Sequence, residues 1–314
     1  MEGYHEPVLA AACISALQIQ PEGVYVDATF GGGGHTRKIL AALGPKGKLV
    51  AFDQDQDALQ NLPEDERLLF VQHNFRFLKR FLRLHGIRKV DGILADLGVS
   101  SHQLDVPERG FSFRFEADLD MRMNQNDART AETILNTYSP ADLQAMFSAF
   151  GEVRNAKTLA LKIAEERQVR PLKSVDDLLG IMEPLIRGQR HRYLAQVFQA
   201  IRMEVNEEVE ALSEFLLQCL EVLKPGAPLV VLSYHSIEDR MTKNMLKTGN
   251  PEGKVIKDFY GKIYRPFQII TKKAVLPTPE EIAQNPRARS AKLRVGLRTE
   301  EEIFDSPEEE GLFE

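Results

Sequence analysis

Residues 24–36, VYVDATFGGGGHT, decide how the rest of the chain is read. Val24-Tyr-Val-Asp27 has the β-branched and aromatic makeup of a buried strand ending near Asp27. Gly31 to Gly34 follow at once and lead into a helix expected near 34–43. Glycines between a strand and a helix permit a tight turn, a close backbone approach to a ligand and exposed amides at the helix start. The dinucleotide pattern G-x-G-x-x-G is not met, because position 36 is Thr, and no Gly-Lys-Ser/Thr follows for a phosphate loop. Asp27 just before the loop disfavours a pyrophosphate and would welcome a cationic sulfonium and an amino group.

Working outward, the same unit repeats. KLVAFD (48–53) reads as a second strand, DQDALQNLP as a short helix stopped by Pro63, and LLFVQ (68–72) as a third strand. FRFLKRFLRLH (75–85) reads as a surface helix with a positive outer face, and VDGILADLG (90–98) as a fourth strand ending near Asp96. Strand, loop and helix in alternation describe a mostly parallel sheet covered on both faces. Asp53 ends the second strand, where a carboxylate can bind the two ribose hydroxyls of a nucleoside. Asp27, the glycine loop and Asp53 together suit S-adenosylmethionine better than NAD. Asp96 lies at the carboxyl edge of the sheet, where open α/β sheets bind ligands, and could meet the adenine amino group, the methionine amine or the reacting base.

The alternation then breaks. Residues 106–125 are irregular and rich in Arg and Phe, and from Thr130 to about Arg190 nearly everything reads helical, with Ser139 and Ser174 as N-caps and Pro140 at N1. A helical run without strands suggests an inserted domain. A long helix over 206–227 and the strand PLVVLS (228–233) resume the α/β layer, and FQIIT (267–271) and AKLRVGLRT (291–299) suit an antiparallel edge. The expected fold is α/β, a Rossmann-like sheet with an all-helical insert. Its divisions are 1–105 and 197–298 for the sheet domain, 106–196 for the insert, and 299–314 for an acidic, disordered tail.

The 314 residues carry a formal charge of -6, which on its face disfavours a nucleic-acid partner. Eight acids and no base fall in 299–314, so residues 1–298 hold 40 bases against 38 acids, while 262–298 hold nine bases against two acids. The basic stretch is therefore a candidate nucleic-acid contact. Cys13 and Cys219 are the only cysteines, the start lacks a basic signal-peptide region, and the apolar runs are too short for a bilayer. A cytoplasmic protein without membrane association is expected. His and Cys are too scattered for a metal site.

DATFGGGGHT, ADLGVSSHQLD, ERGFSF, LDMRM, SYHSIEDR and NPRARSAKLR, in that order, closely resemble the RsmH (MraW) family. Its members are bacterial S-adenosylmethionine-dependent methyltransferases that modify N4 of a cytidine in the decoding centre of 16S ribosomal RNA. The resemblance runs from His5 to about Arg298. It implies cofactor contacts at Gly33, Gly34, His35, Asp53, Phe75, Asp96 and Gln103; Asp27 and Gly31 join them from the loop reading. It also implies a substrate in 16S ribosomal RNA, within the small subunit or a late assembly intermediate; a homodimer is left open. Gln196 stands where the family usually has arginine, the 240–285 segment is shorter and more divergent, and the acidic tail has no counterpart.

For the RNA side, Asp96 is the first candidate acceptor of an N4 proton, with His235 and Ser236 as contacts to the flipped cytosine or its phosphate. Ser233, His235 and Asp239 lie too close together in sequence for a hydrolase triad. Tyr234 and one of Phe111, Phe113 and Phe115 are expected to stack on bases. Arg109, Arg114 and Arg122 are expected at phosphates, and Arg240, Arg287 and Arg289 among the contacts to the RNA substrate. The alternatives are a methyltransferase for another nucleic acid and a non-catalytic RNA-binding assembly factor.

Overall fold

A computed structural model describes residues 7–301. The chain forms two compact units, one from the segments up to Gly98 and from Glu210 onward, the other from Val99–Val209.

In chain order, α1 (Ala10–Leu17) precedes β1 (Val24–Asp27), α2 (Gly34–Ala42), β2 (Lys48–Phe52), β3 (Leu68–Val71), α3 (Leu78–Leu84) and β4 (Gly92–Asp96). The helical unit contains α4 (Ser101–Asp105), α5 (Ala131–Thr137), α6 (Pro140–Gly151), α7 (Ala156–Val169), α8 (Val175–Met182) and α9 (Arg190–Val205). Then come α10 (Glu208–Val222), β5 (Pro228–Ser233), α11 (Ser236–Thr248), β6 (Phe267–Ile269), α12 (Pro279–Gln284) and β7 (Lys292–Arg298).

The seven strands form one sheet in the order β3-β2-β1-β4-β5-β7-β6. The first five are parallel, and β7 pairs antiparallel with both β5 and β6. This is the expected α/β architecture with its antiparallel edge. PLVVLS is buried at every position because it lies between β4 and β7, and such a strand needs a continuous apolar run rather than an alternating one. Strand order reverses direction between β1 and β4, so the carboxyl ends of those two strands flank the switch point where open sheets leave a crevice. The core on one side of the sheet gathers Cys13, Leu17, Tyr25, Ile39, Leu49, Leu94, Val230 and Leu293. The basic face read at 75–85 is partly committed, since Arg76 pairs with Glu214 and Lys79 with Glu221 on α10. Phe75–Phe77 is a 3-10 turn that precedes α3 rather than part of it.

The helical unit has its own core, including Ile134, Leu135, Phe147, Leu159, Ile163, Leu178, Leu194, Val197 and Ile201. Its caps are those the sequence indicates: the Ser139 hydroxyl accepts from the Asp142 amide, and the Ser174 hydroxyl from the Asp177 amide. Whereas a 106–196 insert was expected, the compact unit runs from Val99 to Val209. Most of the 299–314 tail lies outside the described residues, as does His5. Among the described residues no helix is long and apolar enough to cross a membrane.

Candidate active site

Three carboxylates stand at the carboxyl ends of parallel strands: Asp27 on β1, Asp53 after β2 and Asp96 on β4. The glycine loop is threaded between them. The Ala28 amide donates to the Leu94 carbonyl of β4 (2.8 Å) and the Phe30 amide to the Phe52 carbonyl of β2 (2.8 Å). Gly31 and Gly33 have φ of 52° and 74°, left-handed values that favour glycine. A Cβ on Gly33 would also lie 2.8 Å from the Phe30 ring, whereas Cβ atoms on Gly31 and Gly32 would meet nothing within 4 Å. The loop thus turns tightly at Gly33 and leaves open space over Gly31 and Gly32.

Asp53 joins two of the motifs. Its Oδ2 accepts from the Gly31 amide (2.7 Å) and its Oδ1 from the Asp55 amide (2.9 Å). Burial pushes its carboxyl up to about 6 against the pull of those two amides, although the residue is not fully covered. Asp27 is fully buried, accepts from the Thr36 hydroxyl (2.6 Å) and the Thr29 amide (3.2 Å), and is likewise pushed up to about 6 by burial.

Asp96 is a hub. Its backbone amide donates to the Thr29 hydroxyl (2.6 Å), its Oδ1 accepts from the Tyr234 hydroxyl (2.8 Å), and its Oδ2 lies 3.4 Å from Nε2 of His35. The His35 side chain is only 5% exposed, against 23% for Asp96. Burial pushes the imidazole down, but Asp96 and Asp27 beside it outweigh that and raise it above its ordinary value. Its Nδ1 is buried with no hydrogen-bond partner. Burial and the Asp96 carboxylate together push the Tyr234 hydroxyl up, so it remains a donor across the working pH range. The sequence marked Tyr234 as a stacking platform; its bond to Asp96 is what sequence spacing could not show, because the two residues are 138 positions apart.

The remaining expected residues of this unit are spread along the segments that follow β3 and β5. Phe75 packs edge-on to Phe215, ring centroids 5.0 Å apart. The His235 side chain is only 10% exposed, with both ring nitrogens buried and Nε2 3.0 Å from Glu238 Oε1, so its expected contact with a flipped cytosine is not presented at the surface. Glu238 also accepts from the Tyr234 amide (2.8 Å), fixing the entry to α11. Ser236, Arg240, Arg287 and Arg289 are exposed. Arg294, in the basic segment, is committed: its Nε donates to Asp239 at 2.5 Å, and Lys292 lies 3.5 Å from the same carboxylate.

Within the helical unit the structure corrects several expectations. Arg109 is 6% exposed and donates to the carbonyls of Arg122 (2.8 Å) and Met123 (3.2 Å), so it braces a loop rather than facing phosphate. Phe111 belongs to the core, and Phe113 stacks edge-on to Phe198 and His191. Arg122 is held by Asp120 through two nitrogens (3.0 and 2.6 Å) and by the Asp127 carbonyl (2.6 Å). Arg114 is exposed; its Nε donates to the Ser112 hydroxyl at 3.2 Å, its guanidinium lies over the Phe115 ring, and Asp105 is 3.4 Å away. Gln103 closes a capping box with Ser100 at the start of α4, accepting from its amide at 3.0 Å.

The family model for the MraW methylase family matches residues 2–299. The chain belongs to that family. Ribosomal RNA small subunit methyltransferase H of Flavobacterium johnsoniae is 54% identical over 293 residues, covering 93% of this chain and 97% of its own. The protein of the same name from Bacteroides fragilis is 51% identical over 293 residues, covering 93% and 96%. Among solved structures, TrmN from Thermus thermophilus aligns over 92% of this chain and 48% of its own at 14% identity with a TM-score of 0.41. At that distance the likeness carries no weight here. Membership places this MraW-family chain among methylases, and the carboxylate hub lies at the switch point where such a sheet binds its ligand.

Proposed function

We propose that this chain transfers the methyl group of S-adenosylmethionine to N4 of a cytidine in the decoding region of 16S ribosomal RNA, within the small subunit or a late assembly intermediate. A cytoplasmic location goes with that substrate. The observation that carries the reading is the trio Asp27, Asp53 and Asp96 around a glycine loop, in a chain half identical to ribosomal RNA methyltransferases.

The residues fit the cofactor. Space over Gly31 and Gly32 admits a ligand against the backbone, Asp53 is only partly buried and can take ribose hydroxyls, and the orphaned His35 Nδ1 waits for a polar partner. When bound, S-adenosylmethionine supplies an activated methyl on a sulfonium, so no metal is needed to generate the electrophile.

The difficulty lies with the nucleophile. The N4 lone pair of cytosine is delocalised into the ring, and the amine must pyramidalise and shed a proton as it takes the methyl. The base must also leave its stack. Asp96 is positioned to accept that proton: the Tyr234 hydroxyl holds one of its oxygens, His35 Nε2 lies 3.4 Å from the other, and it is partly open to solvent. Fixed geometry and a waiting acceptor are the two contributions the protein makes.

Incubating the purified chain with labelled cofactor and small subunits from cells lacking the gene tests the proposal. N4-methylcytidine in the mapped 16S fragment is expected; a methyl on another base, or none, would refute it.

The raised carboxyls give a pH signature. Asp27 binds its proton more tightly folded, about 6 against an ordinary 3.8, so its burial costs about 3 kcal/mol at neutral pH. That cost is absent below pH about 4 and grows as pH rises to about 6. A cation bound nearby favours the carboxylate, so cofactor affinity should rise about tenfold between pH 5 and 7. Calorimetric titration across that range checks this, and a flat profile would remove the electrostatic role.

On the RNA side, the double replacement Arg287→Ala with Arg289→Ala should lower the salt slope of RNA binding by about two. Arg294 is left out because its loss would release Asp239. An unchanged slope would make both arginines bystanders.

A further inference from the structure

The segment between α11 and β6 contains the two most exposed aromatic side chains described, Phe259 at 93% and Tyr260 at 91%. Large rings in a soluble protein are normally covered, and a paired exposure of this size marks a contact surface. The exposure is built by the backbone. Residues 256–264 form a small hairpin in which the Tyr264 amide donates to the Ile256 carbonyl (2.9 Å) and the Asp258 amide to the Lys262 carbonyl (3.0 Å). At the tip the Asp258 carboxylate accepts from the Tyr260 and Lys262 amides (2.9 and 2.8 Å), and the Gly261 amide returns to the Asp258 carbonyl (3.0 Å) with Gly261 at φ +82°. The root is anchored by Tyr264, which is fully buried and sits so close to Gly249 that a Cβ there would lie 2.6 Å from its ring.

We propose that this hairpin is a stacking platform for an unpaired base of the RNA substrate, a contact that rests on the RNA reading above and adds a site to it. The two rings stand 5.6 Å apart and nearly perpendicular, at 89°. In this edge-to-face arrangement each ring keeps at least one face open, on which a base can stack. Charge selects the occupant. Residues 254–265 carry Lys254, Lys257, Lys262 and Arg265 against one acid, Asp258, whose carboxylate is turned onto the tip amides. Lys254 has an acidic neighbour in Glu252, and Lys262 and Arg265 share Glu301, while Lys257 is exposed. Aromatic faces interleaved with bases suit single-stranded nucleic acid, which every base can satisfy through its π-face.

The test compares the full-length chain with the double variant Phe259→Ala, Tyr260→Ala and with Phe259→Trp, Tyr260→Trp. Binding of a 16S ribosomal RNA transcript and of S-adenosylmethionine is measured for each. The alanine variant should bind RNA roughly 10- to 100-fold more weakly, with an unchanged salt slope and unchanged cofactor affinity, and the tryptophan variant should restore RNA binding. RNA affinity within twofold of the parent would overturn the platform. So would a loss of self-association in place of RNA binding, seen by sedimentation. Failure of the RNA reading itself would appear differently, as a parent chain that neither binds nor methylates the RNA.

Discussion

Asp96→Asn is expected to bind S-adenosylmethionine nearly as well as the parent chain while turnover falls roughly 10²- to 10³-fold, the size of loss typical for a positioned proton acceptor. The amide keeps the shape of the side chain, and its oxygen can still accept from the Tyr234 hydroxyl, which donates to Asp96 Oδ1 at 2.8 Å. What it loses is negative charge beside His35 and an acceptor basic enough to take the N4 proton. Single-turnover methylation with saturating cofactor isolates that step. A full rate in the variant would remove Asp96 as acceptor, and a lost cofactor affinity with normal turnover would reassign it to binding.

The parts of this arrangement that were legible in the sequence are those set by local chemistry. Buried parallel strands need unbroken apolar runs, so VYVD, KLVAF, GILAD and PLVVLS declared themselves, and the acid at or just after each of the first three falls at the ligand edge by strand direction alone. Helix caps at Ser139 and Ser174 were equally local. Long-range pairing was not. Arg109 and Arg122 look like phosphate contacts because an arginine in an irregular loop carries no mark of the carbonyls and carboxylate that satisfy it. Arg294 reads as part of a basic stretch until β7 brings it to Asp239 on α11. The 256–264 hairpin was missed because its turn is held by one aspartate and one glycine, with too short a repeat on either side to show a period. Likewise the helical unit begins at Val99 because of how its residues pack, and packing leaves no signal at a single position.

Asp53→Ala should weaken S-adenosylmethionine binding by about 10²- to 10³-fold with little change in the melting temperature of the ligand-free chain. Two effects oppose each other in the empty site. Alanine strips an acceptor from the Gly31 and Asp55 amides, and it also removes a carboxyl that burial disfavours. In the loaded site nothing offsets the loss on the proposed binding mode: hydrogen bonds to a charged acceptor contribute about 1.5–3 kcal/mol each, and that mode gives Asp53 two ribose hydroxyls. Gly31 loses its tether as well, and with it the open face over Gly31 and Gly32 is no longer held against the ligand. Asp53→Asn, which retains one oxygen acceptor, should fall between the two. Melting with and without cofactor reads both terms at once, since ligand stabilisation scales with the logarithm of affinity. Equal cofactor-induced shifts in the parent and alanine chains would rule out the ribose role and leave Asp53 as a clamp on the glycine loop.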